Sequence, residues 1–144
     1  MIEQDTIRLL RECDEGVKMG VASIEDVLDR VRSQALEKRL TDCKTEHQAL
    51  GTELQQLLNR YGDEGKDPPA MATAMSGLMT KMKLMVHDSD AEIADLMTDG
   101  CNMGVKSLSR FLNQYAAADE ASKGVAKRLI ALEETLAVDL RGYL

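Results

Sequence analysis

The feature that most constrains the fold of this chain is an imperfect internal repeat. The stretch MGVASIEDVL, residues 19–28, returns 84 positions later as MGVKSLSRFL, residues 103–112, and five of the ten positions are identical. Gly16 and Gly100 extend the match one helical turn upstream. Self-similarity at a fixed spacing indicates one structural unit used twice.

Apolar residues recur at steps of three and four, the spacing of one face of an α-helix. A first helix is predicted over residues 4–32, with Leu10, Cys13, Val17, Gly20, Ile24, Val27 and Val31 inward. After a turn at residues 33–34, a second helix is predicted to extend to residue 61. Its predicted inward residues are Leu36, Leu40, Cys43, His47, Leu50, Leu54, Leu57 and Tyr61. Only 3% of the residues are aromatic and only two are prolines. This composition favours an all-α chain.

The loop GDEGKDPP, residues 62–69, is the one clear break in the pattern. Asp67 is predicted to cap the next helix, with Pro68 at its first position. That crossover helix, residues 68–86, is predicted to turn inward Met71, Met75, Leu78, Met82 and Met85, with Met79 and Val86 widening the apolar face.

Two more helices are predicted in the second half of the chain. Ser89 and Glu92 have the spacing of a capping box and predict the start of one, which buries Ala94, Met97, Cys101, Gly104, Leu108, Phe111 and Tyr115. After a turn at residues 118–119, the last helix buries Leu129, Leu132, Leu136, Leu140 and Tyr143.

The repeating unit is therefore a helical hairpin. The leucines and tyrosine that end the second helix match those of the last helix at an offset of 82, namely Leu50, Leu54, Leu58 and Tyr61 with Leu132, Leu136, Leu140 and Tyr143. We predict one domain over residues 1–144, with a hairpin at 4–61, a crossover at 62–88 and a second hairpin at 89–144. One hairpin cannot bury its own apolar face, so two are expected to pack about a pseudo-twofold axis.

These hairpins, the crossover AMATAMSGLMTKMKLMVHDSD and the following AEIADLMTDGCNMGVKSLSRFLNQY resemble the ferritin-like four-helix bundles. More narrowly, they resemble a bacterial ferritin-like family of unknown function. The resemblance implies an all-α ferritin-like bundle with an extra helix in its long crossover, and it leaves the activity open.

The di-iron site of that fold needs two Glu-x-x-His motifs and two further glutamates. Lys44 precedes His47 by three residues and Leu84 precedes His87, so neither motif exists. Glu15 and Asp99 are matching carboxylates, but they face away from the predicted seam. We therefore predict no stoichiometric metal and no cofactor.

His47 is the polar residue that needs explaining, because it lies on an apolar stripe. An antiparallel first hairpin would place it level with Gly20. It is either a buried ligand or acid–base group, with Glu46, Asp14 or Asp139, or a core histidine bonded to one carboxylate or carbonyl in space that glycine leaves. We favour the structural role, because a lone histidine lacks convergent partners.

The three cysteines and the methionines are interpreted as packing residues. Cys13, Cys43 and Cys101 lie on apolar stripes, where cysteine acts as a small hydrophobe, and the odd number predicts a reduced, cytoplasmic setting. The crossover methionines are predicted to be core residues, with surplus apolar surface left for a partner.

The charge and hydropathy exclude some functions and leave others open. A net charge of −7 with few aromatics argues against nucleic-acid binding, and no apolar run reaches the ~20 residues of a membrane span. We predict a non-catalytic bundle that acts through self-association, as a homodimer, or through a protein partner. The alternative is a metal-binding or oxidase-type protein with a non-standard ligand set around His47. A third possibility is a small-molecule site near Gly20 and Gly104.

Overall fold

The computed structural model describes residues 2–86 and 88–144, apart from the side chains of residues 71–76, 78 and 86. Within these ranges the chain is all α, without a strand, as predicted. The elements are α1 (Ile2–Leu28), α2 (Gln34–Asn59), α3 (Ala70–Val86), α4 (Asp90–Gln114), α5 (Glu120–Leu140) and a 3-10 turn (Arg141–Tyr143). None of the helices in the described ranges combines the length and the apolarity that crossing a membrane requires.

Side-chain caps account for several helix starts. Ser33 caps α2 by accepting from the Leu36 amide at 3.2 Å, and Ser89 caps α4, as predicted, by accepting from Glu92 at 3.1 Å. The predicted start of α3 is wrong, because the helix begins at Ala70 and the Asp67 carboxylate instead pairs with Lys18 at 2.6 Å.

The helices pack in two antiparallel pairs that share one interior. α1 packs along α2 and α4 along α5, while α1 also contacts α4 and α5, and α2 contacts α5. α3 lies against α1 and α4. The interior contains two apolar clusters, one around Leu9, Leu54 and Leu129 and one around Ile24, Leu40 and Leu136.

Burial recurs along the chain with two fixed offsets. Buried positions of α1 reappear in α4 84 residues later, in the pairs Leu9 and Ile93, Leu10 and Ala94, Cys13 and Met97, Val17 and Cys101, and Ile24 and Leu108. Buried positions of α2 reappear in α5 86 residues later, in the pairs Leu36 and Ser122, Leu40 and Ala126, Cys43 and Leu129, His47 and Glu133, Leu50 and Leu136, and Leu54 and Leu140. The offset of 86 residues between α2 and α5 differs from the offset of 82 residues that the leucine pattern predicts. The N-cap residues Ser33 and Asp119 are also 86 residues apart, in agreement with the offset of 86.

Two hydrogen-bonded contacts, which we call the clasps, join the start of one helix to a distant turn. The Ser33 amide donates to the Asp90 carboxylate at 2.9 Å, at the start of α4. The Asp119 amide donates to the Thr6 hydroxyl at 2.9 Å, at the start of α1. Each clasp therefore connects the two helix pairs. It joins the N-cap residue of the second helix of one pair to the first turns of the first helix of the other pair.

The inward face of α3 differs from the prediction. Met82 and Met85 are 58% and 74% exposed, whereas Leu84 is fully buried in the second apolar cluster. The predicted inward Met71, Met75 and Leu78 lie outside the described side chains. Apolar residues occupy most of the circumference of α3, so their spacing does not identify an inner face. Gly77 is one point of contact with α1, since a Cβ there would lie 3.2 Å from Asp26 Oδ2.

Candidate functional site

A buried histidine–carboxylate pair lies between the two apolar clusters. His47 Nε2 is 2.9 Å from Glu133 Oε1, and His47 Nδ1 is 2.8 Å from the Cys43 carbonyl oxygen. His47 is 1% and Glu133 9% exposed. Both ring nitrogens thus face oxygen atoms, an arrangement in which a doubly protonated imidazolium donates a hydrogen bond at each end.

The contacts of His47 favour its protonated form. Burial alone would lower its pKa, but the Cys43 side chain, whose sulfur lies 3.4 Å from Nδ1, and the hydrogen bond to Glu133 outweigh this and raise the pKa from 6.5 to about 10. A buried charge of this kind needs a paired and hydrogen-bonded partner. The Glu133 carboxylate supplies that partner from α5, 86 residues along the chain.

Glycines on the two facing helices make room for this pair. A Cβ on Gly20 would lie 2.8 Å from His47 Cδ2, closer than side chains tolerate, so His47 requires glycine there. A Cβ on Gly104 would lie 3.5 Å from Glu133 Cδ, an ordinary contact. His47 therefore lies against Gly20, as the antiparallel register predicts. Gly104 faces Glu133 in the same layer.

The cysteines are free and buried. Burial, followed by the neighbouring Glu12 and Asp14, raises the pKa of the Cys13 thiol from 9.0 to about 12. Burial and the adjacent Glu133, to which its thiol is hydrogen-bonded, raise the pKa of Cys101. Both thiols are therefore held in the neutral, unreactive form, which matches their predicted role as small hydrophobes.

The other predicted partners of His47 lie elsewhere. Glu46 and Asp139 both pair with Arg39, at 3.9 and 2.7 Å. Asp14 is buried near the crossover loop, where it accepts from the Lys66 amide at 3.1 Å. In the part of the chain that the structure describes, no group of three or more His, Cys, Asp or Glu side chains is arranged to hold a metal ion.

Glu133 is the member of the buried pair that was not predicted from the sequence. Its neighbour Leu132 was predicted as the buried residue of that turn, and Leu132 is only half-buried. Two signals identify Glu133. It continues the steps of three and four from Leu129 to Leu136, and it stands 86 residues after His47, as Asp119 stands 86 residues after Ser33.

A cavity of about 850 Å³ opens beside the pair. Its walls come from α1, α3 and α4, and His47 and Glu133 line it together with Cys101. Four glycines contribute to its surface, Gly16 and Gly20 of α1 and Gly100 and Gly104 of α4. This volume is within the range of small-molecule sites, which are mainly apolar with a few converging polar groups.

The fold and the site define an all-α protein with a buried acid–base pair beside a glycine-lined cavity. The family described as a domain of unknown function, DUF2383, matches residues 5–114. Since this match covers more than half of the chain, the protein belongs to that family. No curated protein and no solved structure matches the chain significantly.

Proposed function

We propose that this protein is a non-catalytic helical bundle that acts by self-association, as a symmetric homodimer. The observation that carries the proposal is the methionine surface, which consists of Met79, Met82 and Met85 of α3 and Met103 of α4. These side chains are 56%, 58%, 74% and 70% exposed. Exposed apolar patches mark interaction sites, and flexible thioethers adapt to an opposing surface.

The arrangement of the methionines suits a twofold contact. Met79, Met82 and Met85 follow one another at steps of three along α3, and Met79 and Met103 both line the mouth of the cavity. One continuous patch that pairs with its own copy forms a closed dimer, the commonest assembly of soluble proteins. A chain with a net charge of −7 also needs an apolar contact to offset repulsion between copies.

The test is the molar mass in solution. Light scattering after gel filtration at micromolar concentrations is expected to show a dimer, and the double variant Met82→Glu/Met85→Glu is expected to be monomeric because it buries four charges in the twofold contact.

Val138→Glu is the matched control, because Val138 is also exposed, at 51%, but lies on α5. This variant should remain dimeric. A wild-type monomer at all concentrations would refute the proposal, as would a dimer that both variants preserve.

We further propose that the architecture is a ferritin-like four-helix bundle made of two repeated hairpins, with α3 in the crossover. The offsets of 84 and 86 between buried positions support this proposal. So do the clasps, since Thr6 and Asp90 are 84 residues apart and Ser33 and Asp119 are 86 apart. A solved structure would test it through the superposition of residues 4–61 on residues 89–144.

The alternative function is metal binding or oxidase chemistry with a non-standard ligand set around His47. In this chain Glu133 and Cys43 already occupy the two ring nitrogens of His47, and Cys101 is the thiol next to Glu133. Elemental analysis of protein purified without a tag separates the two functions. One transition metal per chain, lost in His47→Leu, would favour the alternative.

A further inference from the structure

We infer that the cavity beside His47 and Glu133 binds an uncharged, mainly apolar molecule that carries one hydroxyl group, such as a phenol or an alcohol. The inference does not rest on the proposed dimer.

Two of the four wall glycines are not required by any close contact with the described atoms. Among the described atoms, nothing lies within 4 Å of a Cβ built on Gly100, and a Cβ on Gly16 would meet only Leu129 at an ordinary 3.5 Å. Both lie in long helices, where glycine costs about 0.5–1 kcal/mol relative to alanine. A ligand that packs directly against the backbone of α1 and α4 would explain why glycine is present there despite that cost.

The polar anchor is the carboxylate of Glu133. It accepts from His47 and is hydrogen-bonded to the Cys101 thiol. An ionised carboxylate has about four acceptor positions, so it can take one more donor from a ligand. A hydroxyl group that donates to Glu133 would form a hydrogen bond to a charged and buried group, and such hydrogen bonds are strong.

The charges around the cavity select against anions. Lys66 is already paired with Glu12 and Glu15, at 2.8 and 2.9 Å. His47 is paired with Glu133. The remaining ionisable groups of the lining, Asp99 and Lys83, are exposed and of opposite sign. No unpaired cation of the described lining faces the interior, so a ligand carboxylate or phosphate would meet Glu133 without compensation.

The inference is tested by titrating the whole protein with naphthol, naphthalene and naphthoate at pH 7 and following fluorescence. Naphthol is expected to bind at least tenfold more tightly than the other two. Gly100→Leu, whose side chain would fill the cavity, is expected to weaken naphthol at least tenfold while the protein stays folded.

Gly124→Leu is the matched control. Gly124 is also helical with nothing among the described atoms within 4 Å of its Cβ position, but it does not line the cavity. This variant should bind naphthol like the wild type. Glu133→Gln should weaken naphthol severalfold and leave naphthalene unchanged.

Several results would overturn the inference. They are the absence of naphthol binding, equal binding by Gly100→Leu and the wild type, equal affinity for naphthol and naphthalene, or a preference for naphthoate. Met82→Glu/Met85→Glu should keep its naphthol affinity, because neither residue lines the cavity. The failure of the dimer and the failure of the ligand site are therefore distinguishable.

Discussion

At the residue scale, the role of His47 depends on a partner far along the chain. Its position on an apolar stripe predicts burial, but not whether it is charged. The Glu133 carboxylate at 2.9 Å and the Cys43 carbonyl at 2.8 Å make it an imidazolium with both protons bonded. Removing either member alone leaves a buried uncompensated charge, a change that typically costs about 3–5 kcal/mol.

The raised pKa of His47 predicts that alkaline conditions weaken the fold. The unfolded chain releases the His47 proton near pH 6.5, whereas the folded protein keeps it until about pH 10. The stabilisation is complete below pH 6.5 and is lost as the pH rises through this window. Between pH 7 and 8.5, the free energy of unfolding in urea should fall by up to about 1.4 kcal/mol per pH unit.

The control for this pH dependence is the double variant His47→Leu/Glu133→Leu, which replaces the pair by apolar side chains. The thiols of Cys13 and Cys101, whose unperturbed pKa is 9.0, begin to ionise in the unfolded chain towards pH 8.5, but this contribution is present in the wild type and in the double variant alike. The double variant should therefore lose this slope and keep its fold. An equal slope in the wild type and the double variant would contradict the assignment.

At the element scale, the two matching glycines of the repeat differ in how closely a neighbouring side chain approaches them. Gly20 and Gly104 occupy matching positions in α1 and α4, and the sequence pattern around them does not distinguish the two. The structure distinguishes them, because His47 lies closer to Gly20 than a Cβ permits, whereas Glu133 leaves ordinary contact distance at Gly104.

Alanine substitutions at these two glycines should therefore have opposite effects. Gly104→Ala is expected to raise the free energy of unfolding by about 0.5–1 kcal/mol, the intrinsic gain of alanine over glycine in a helix. Gly20→Ala is expected to lower it by about 1–3 kcal/mol, since the imidazole must move away from its acceptors. Urea denaturation of both variants measures the contrast, and a stabilised Gly20→Ala would refute the close contact with His47.

At the scale of the whole molecule, the clasps connect the two helix pairs. Thr6 is buried and accepts from the Asp119 amide, and Asp90 accepts from the amides of Ser33 and Arg32. The two clasps lie near opposite ends of α1, which at about 1.5 Å per residue is roughly 40 Å long. They should therefore contribute independently.

Removing a clasp should destabilise the protein without abolishing its fold. Thr6→Val leaves the Asp119 amide without its acceptor, and Asp90→Ala does the same to the amides of Ser33 and Arg32. Each variant should cost about 1–3 kcal/mol, and the double variant should show the sum within about 0.5 kcal/mol. Thr45→Val is the control, because Thr45 is exposed and its hydroxyl only donates to the Thr41 carbonyl. Urea denaturation would contradict this role if the Thr6 and Thr45 variants were equally stable.

Local patterns in the sequence determined the helices and several of their ends. Steps of three and four place Leu36, Leu40 and Leu54 on the buried face of α2, as predicted, and the Ser89 cap depends only on residues one turn away. The burial of His47 follows from the same periodicity. These features are predictable because helix formation and capping involve groups within about four residues of one another.

Only the tertiary structure decided which side chains meet across helices. Glu46, Asp14 and Asp139 were the plausible partners of His47, yet the register of α5 brings Glu133 to His47 and Asp139 to Arg39. Glu46 pairs with Arg39 within α2 itself. The inner face of α3 was decided in the same way, by its contact with α1 at Gly77, because its own pattern is apolar nearly all round. Pairing between helices depends on register and approach over the whole chain, and local periodicity carries no information about either.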